Sequence, residues 1–388
     1  MNSGIIVVQT GAIEEGGRVY ILPHWYFILK AYGELLPGTR LVCRRNEELR
    51  GRPKLPVPNG LKAELLSPID FSTVRGKLKG YVCAHKKIKK LVKEAKFIGA
   101  VLPSNLGGLA VRIAIGQAKP IFVEVAGESK MYDWRPSIKL PFRYLAYRYS
   151  RHVDVRVSCE ANLVIYVSQY LADIAARRPR VYGVVPCTTV YDRDVFRRED
   201  TCQDGRIKLF SVNRIVREKG LKHLLLAIKK LRNEGFDVVA TLAGDGEYLE
   251  ELKRQSCELC LDDCVCFPGY VSVEELWQLY RKSDIFVMPT IASGEGTPRC
   301  LIEAMASGCP VVASSVGGIK MMLEEAKSGK LVAAGNIDEL AEAIKLIITN
   351  LDLRRKYIAN GLKWVTGVTL EKRTEKIADL FEQHLRLA

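Results

Sequence analysis

The feature that most constrains this chain is the regular alternation of short apolar runs with amphipathic helical patterns. Apolar runs fall at Ile5–Val8, Arg40–Cys43, Phe97–Leu102, Ile121–Val125, Leu163–Val167 and Val181–Val185. They return at Lys208–Val212, Val238–Leu242, Val265–Phe267, Ile285–Met288 and Val311–Ala313. Helical spacing separates most of them, as in Glu218–Asn233, Tyr248–Glu258, Val273–Lys282 and Ile337–Thr349. A strand that is apolar throughout is buried on both faces, and an intervening helix is what joins parallel neighbours. The pattern therefore predicts an α/β chain with doubly wound parallel sheets. The strands are too many for one sheet of usual size, so two Rossmann-like domains are expected. The predicted division is residues 1–188 and 206–365, with a C-terminal helix within 366–388 (Leu370–Leu387) that crosses back to the first domain. The polar tract CTTVYDRDVFRREDTCQDG, between Pro186 and Arg206, lacks periodicity and reads as a linker. The Pro- and Gly-rich stretch from Arg44 to Lys62 reads as a long surface loop.

Ligands of open α/β sheets bind beyond the carboxyl ends of the strands, so the residues after each strand carry the functional information. The segment EGTPRCLIEAMASGCPVVA, Glu295–Ala313, stands out. It places Glu295 before a helix and Glu303 inside it, with Gly296, Thr297 and Pro298 between them as a tight turn. Thr297 is expected as the N-cap and Pro298 as the first helical residue. The amides of Arg299, Cys300 and Leu301 then face any nearby anion. An anion seat with a carboxylate on each side suits a ligand with a diphosphate in its middle and hydroxyls at both ends, as in a nucleotide-sugar. Arg214 and Lys219, in NRIVREKG after an earlier strand, supply cations for such a diphosphate. The AGDGEY turn from Ala243 brings backbone to the same edge. Gly16 and Gly17 follow the first strand, ahead of a helical segment, and permit close backbone approach.

These segments resemble the retaining glycosyltransferases of family 4, which have the GT-B fold. The matching stretches are VNRIVREKGLKHLLLAI, LAGDGEYLEEL, FPGYVSVEELWQLYRKSDIFVMPT and SGEGTPRCLIEAMASGCPVVASSVGG, which cover nearly all of residues 207–318. The first half matches more loosely, through Gly16-Gly17 and IYVS at Ile165–Ser168. The resemblance implies two sheets facing across a cleft, and a nucleotide-sugar donor carrying uridine or guanosine diphosphate. It implies that Arg214 and Lys219 neutralise the diphosphate, that Glu303 holds the ribose hydroxyls, and that Glu295 contacts the transferred sugar. It places Gly16 and Gly17 near donor phosphate and acceptor. It implies that no metal or other cofactor is needed, because cations and the helix start do a divalent ion's work. Two departures bear on the sugar. Thr297 and Pro298 replace the family's usual aromatic residue and second glycine. The segment VEVAGESKMYDW, from Val123, replaces a segment that carries a histidine in many members, leaving Glu128 as the nearest polar candidate, beside Lys130 and Asp133. Glu128 reads equally as a helix-start residue.

The net charge is +15, which points to an anionic partner. In HKKIKKLVKEAK, Ile88, Leu91, Val92 and Ala95 follow helical spacing while Lys86, Lys87, Lys89, Lys90, Lys93 and Lys96 cover the rest. This basic amphipathic helix reads either as a solvated face or as a surface for an anionic membrane. A second basic and aromatic stretch runs from Phe142 to His152. No recognisable nucleic-acid motif accompanies the charge, so nucleic acid is not expected as a partner. A glycan or lipid-linked acceptor is. Cys257, Cys260, Cys264 and Cys266 form a cluster whose spacing admits zinc, with buried thiols or a disulfide preferred, and Cys264 and Cys266 expected on one strand face. The start MNSGIIVVQTG reads as a strand rather than a signal peptide, which predicts a cytoplasmic protein, peripheral on the inner membrane face if the basic helix docks there. Two rivals stand. A soluble disaccharide synthase or glycoside phosphorylase of the same fold would be separated by assaying product with and without inorganic phosphate. A non-catalytic polyanion-binding protein would release no nucleotide with any acceptor.

Overall fold

A computed structural model describes residues 4–51, 53–67, 74–127, 152–175, 177, 179–292 and 295–385. The chain divides into two compact units, 1–187 with 370–388, and 188–369. It crosses between them twice, at Cys187–Thr188 and Thr369–Leu370.

The first unit is built on β1 (Ile5–Glu15), β2 (Arg18–Ile21), β3 (Arg40–Arg45), β4 (Leu55–Pro56), β5 (Lys62–Leu66), β6 (Ile98–Leu102), β7 (Ile121–Val125), β8 (Leu163–Tyr166) and β9 (Tyr182–Val184). Among the described residues the parallel order is β5-β3-β1-β6-β7-β8-β9, and β2 pairs antiparallel with the far end of β1 and with β4. Ile5–Val8, Leu41–Cys43 and Phe122–Val123 are fully buried, as strands covered on both faces must be. The helix Leu370–His384 belongs to this unit. Its Phe381 ring lies 4.9 Å from that of Phe122 and 6.1 Å from that of Tyr32. Its Arg373 sends Nη2 to both oxygens of Glu124 at 2.8 Å and Nη1 to the carbonyl of Val185 at 3.0 Å. The Tyr32 hydroxyl donates to the same carboxylate.

The second unit is built on β10 (Ile207–Val212), β11 (Val238–Ala243), β12 (Val265–Gly269), β13 (Ile285–Met288), β14 (Val311–Ser314) and β15 (Gly329–Val332). Among the described residues all are parallel, in the order β12-β11-β10-β13-β14-β15. This order reverses direction between β10 and β13. Crossovers from the two strands leave to opposite faces there, which opens a crevice beyond their carboxyl ends.

Several expectations need correction. The stretch 44–62 is not a plain surface loop: it holds β4 and leads into β5, both edge strands. The tract after Pro186 is a strap on the second unit rather than a free linker. The Phe196 N–H donates to Ala306 O at 2.7 Å, Arg198 reaches the carbonyls of Gly308 and Ser283, and Asp200 takes Arg354 at 2.9 and 3.1 Å. Its polar side chains bind backbone carbonyls and a buried arginine, so they show no periodicity. Cys264 is buried but Cys266 is exposed, because Cys264 precedes β12 and caps back onto Leu261 O at 3.4 Å. The cysteines are free thiols, and no cluster of three or more metal-ligating side chains occurs among the described residues.

Candidate active site

Two loops of the second unit flank the crevice. After β10 the chain makes a short turn of 3₁₀ helix, Arg217–Lys219, and Gly220 then opens the helix Leu221–Asn233. After β13 it runs through Pro289–Ala292 to Glu295 and into the helix Arg299–Ala306. The two loops are tied together. Glu218 O accepts the Thr290 hydroxyl and the Ile291 N–H, both at 2.9 Å. The Lys219 Nζ–H donates to Glu295 Oε1, forming an ion pair across the crevice. Arg214 lies on the same loop, is exposed, and has no ion-pair partner among the described residues.

Glu295 is held from behind. Its carbonyl accepts the N–H of Gly318 at 2.7 Å. A Cβ on Gly318 would stand 1.8 Å from the carbonyl oxygen of Gly296, so no larger residue fits without moving the loop. Sequence reading assigned Gly318 no role, although the adjacent glycines at a helix start were a visible signal.

The helix start differs from expectation. Pro298, not Thr297, occupies the N-cap position, with extended backbone (φ −69°, ψ 112°), and no side chain caps this end. The restricted ring of Pro298 ends the turn one residue later than predicted. The Leu301 N–H is turned to Pro298 O at 3.1 Å, so Arg299 and Cys300 carry the leading amides of this turn. Gly296 and Thr297 remain in the loop between the two carboxylates.

Glu303 is half-buried, and both its oxygens have protein donors. Tyr280, at the end of the helix Val273–Lys282, donates to Oε2 at 2.8 Å, and Thr189 donates to Oε1. Burial first, and the Glu303 charge second, push the Tyr280 hydroxyl well above its ordinary pKa, so it stays a donor. Cys300 lies in the same field. Burial pushes its thiol up to about 12, with Glu303 adding to the shift and Lys219 opposing it. Tyr280 and Thr189 were both missed from sequence.

Gly16 and Gly17 lie past the carboxyl end of β1, in the first unit. They do not precede a helix directly. With φ of 56° and 75° they form the two-residue turn of the β1–β2 hairpin, in register Glu15↔Arg18. Glu128, Lys130 and Asp133, and most of the Phe142–His152 stretch, lie outside the described residues.

Residues 192–364 match the family described as Glycosyl transferases group 1. The GDP-mannose-dependent alpha-(1-6)-phosphatidylinositol monomannoside mannosyltransferase of Mycobacterium tuberculosis is 30% identical over 294 residues, 71% of each chain. The chain belongs to this glycosyl transferase family. An uncharacterized glycosyltransferase of Methanocaldococcus jannaschii is 31% identical over 168 residues, 43% of this glycosyl transferase and 42% of the other protein. Among solved structures, Anabaena HepE in complex with UDP superposes with a TM-score of 0.74 at 18% identity, covering 98% of this chain and all of HepE. Sucrose-phosphate synthase from Thermosynechococcus elongatus gives 0.70 at 17% identity, covering 98% and 99%. The glycosyl transferase thus has the GT-B fold of two Rossmann-like domains.

Proposed function

We propose that this protein is a retaining glycosyltransferase that moves a sugar from a UDP- or GDP-sugar to a hydroxyl of a glycan or lipid-linked acceptor. The observation that carries the reading is the pairing of Lys219 with Glu295 at the strand-order reversal, with Glu303 further along the helix that Glu295 introduces. Cleavage of the anomeric bond leaves negative charge on the diphosphate. Arg214, Lys219 and the amides of Arg299 and Cys300 stabilise that charge where it develops. Glu295 orients the sugar and favours the oxocarbenium-like state, and Glu303, fixed by Tyr280 and Thr189, takes the ribose hydroxyls. Retention of configuration is what the family resemblance implies, the leaving phosphate taking the acceptor proton. Two cations suited to a diphosphate favour a reaction without a divalent ion.

A thermal-shift panel of UDP- and GDP-sugars tests the donor, since a ligand of the native state raises its stability. Glu303→Ala is expected to weaken donor binding and Lys219→Ala chiefly to lower turnover. Unchanged kinetics in both variants would remove the assignment.

The acceptor reading, a cell-surface glycan, glycolipid or N-glycan precursor, rests on the helix Val74–Glu94. Ala84, Ile88, Leu91 and Val92 are buried under it, while Lys86, Lys89, Lys90 and Lys93 are exposed, with Tyr81 and Val82 also exposed. Lys87 departs from this face, pairing with Glu64 at 2.5 Å and Leu65 O at 2.9 Å. The remaining lysines suit an anionic membrane on the cytoplasmic side. Changing Lys86, Lys89, Lys90 and Lys93 to Glu should abolish flotation with anionic liposomes at low salt. Flotation that persists would remove the membrane from this reading.

A further inference from the structure

We propose that Glu295 is an internal competitor for Lys219, which makes the site hold an intact nucleotide-sugar in preference to the spent nucleoside diphosphate; this rests on the donor reading above. The Lys219 ammonium is on the Glu295 carboxylate. Both partners are only 17% and 18% exposed, so the pair is shielded enough to matter and open enough to exchange.

The pairing does not depend on two loosely placed loops. The Lys219 loop is fixed by Glu218 O, which accepts from Thr290 and Ile291. Glu295 is fixed by its carbonyl, which accepts from Gly318. A diphosphate must therefore draw Lys219 away from a carboxylate that stays where it is. Arg214, exposed and without an ion pair among the described residues, has no such competitor. The two cations divide the work: Arg214 is always available to phosphate, and Lys219 is available only when Glu295 is otherwise satisfied.

With the intact donor, sugar hydroxyls donate to Glu295 and replace the lysine as its partner. Once the sugar has left, no donor group of the ligand faces Glu295. Once the proton it took from the acceptor has passed to solvent, the spent diphosphate also carries one more negative charge than the intact donor, so its repulsion by Glu295 rises. Lys219 returns to Glu295, and the grip on the diphosphate loosens. The carboxylate that orients the sugar thereby assists release of the product.

The test is calorimetric titration of UDP, GDP and ADP into the full chain and into Glu295→Gln, at low and at physiological salt. The amide keeps the shape and removes the charge. The nucleoside diphosphate that the wild type binds should bind Glu295→Gln about three- to tenfold more tightly, while the matching nucleotide-sugar gains nothing or weakens. In a Lys219→Met background the same change should yield about twofold at most, because the competed cation is gone. A damaged fold lowers affinity, so a gain cannot arise from misfolding. If the wild type binds none of the three nucleotides, the donor reading fails and this inference with it. If the wild type binds one and Glu295→Gln binds it equally or less tightly, the competition is wrong and the donor reading survives. An equal gain in the Lys219→Met background would also overturn it, since repulsion alone would then account for the effect.

Discussion

Two carboxylate–cation pairs in this chain have the same chemistry and opposite settings. Glu124 and Arg373 in the first unit are fully buried, with the Tyr32 hydroxyl and the Val185 carbonyl completing the set. Lys219 and Glu295 in the second unit keep a sixth or so of their surface in solvent. Burial works against the Arg373 cation, and the adjacent Glu124 charge outweighs it, so the guanidinium pKa rises further. Burial and Glu124 likewise push the Tyr32 hydroxyl well above its usual range. A pair of that kind cannot exchange partners, because an unpaired charge in a dry core is too costly. The partly exposed pair can exchange, as its proposed role with a ligand requires, whereas the buried pair holds the fold.

The comparison yields predictions that run from large to small. Arg373→Met should destabilise the first unit by about 3–5 kcal/mol, since it strands Glu124. Adding Glu124→Leu should recover most of the loss. Equilibrium denaturation that shows no such rescue would mean the pair is not the source of the cost. Lys219→Ala should lower kcat on the order of a hundredfold, as for other groups that stabilise transition-state charge. Steady-state kinetics with the identified donor would expose a smaller effect. Tyr280→Phe removes one donor to Glu303 and should weaken donor binding by about 1–2 kcal/mol, read as a raised KM with little change in kcat. A fall in kcat alone would argue against the proposed role of Glu303 as a donor-binding group only. The stability cost of Lys219→Ala should be smallest, about 1 kcal/mol or less in a melting experiment. A cost matching that of Arg373→Met would erase the distinction between the two pairs.

Sequence and structure agree where a signal is local. The parallel strands appear where continuous apolar runs predict them, and Val273–Lys282 and Ile337–Thr349 are helices with those bounds. The strands that escape are short, with polar or proline-containing sequences: Arg18–Ile21, Leu55–Pro56, Lys62–Leu66 and Gly329–Val332, the last three at sheet edges. Their pairing is set by neighbours rather than by their own pattern. The same holds at the site. Arg214, Lys219 and Glu295 are picked out by their place after strand ends and Glu303 by its place in the helix that follows, and the structure brings Lys219 to Glu295. Thr189 meets Glu303 across 114 residues of sequence, from a tract without periodicity. Tyr280 looks like an ordinary aromatic of a helix face, and only its hydroxyl partner reveals its use. Thr297 failed as a cap because Pro298 took the cap position itself, a choice between adjacent residues that spacing does not resolve.

The placement of the last helix also orders events during synthesis. The first unit needs Phe381 beside Tyr32 and Phe122, and Arg373 beside Glu124, to close its core. Those residues are translated after all of 188–369. A ribosome therefore delivers a complete second unit while the first still exposes an apolar face and a buried-site carboxylate. The usual sequence, with the N-terminal domain finishing first, is inverted here. The first unit's exposed apolar face is covered only once the helix Leu370–His384 has emerged.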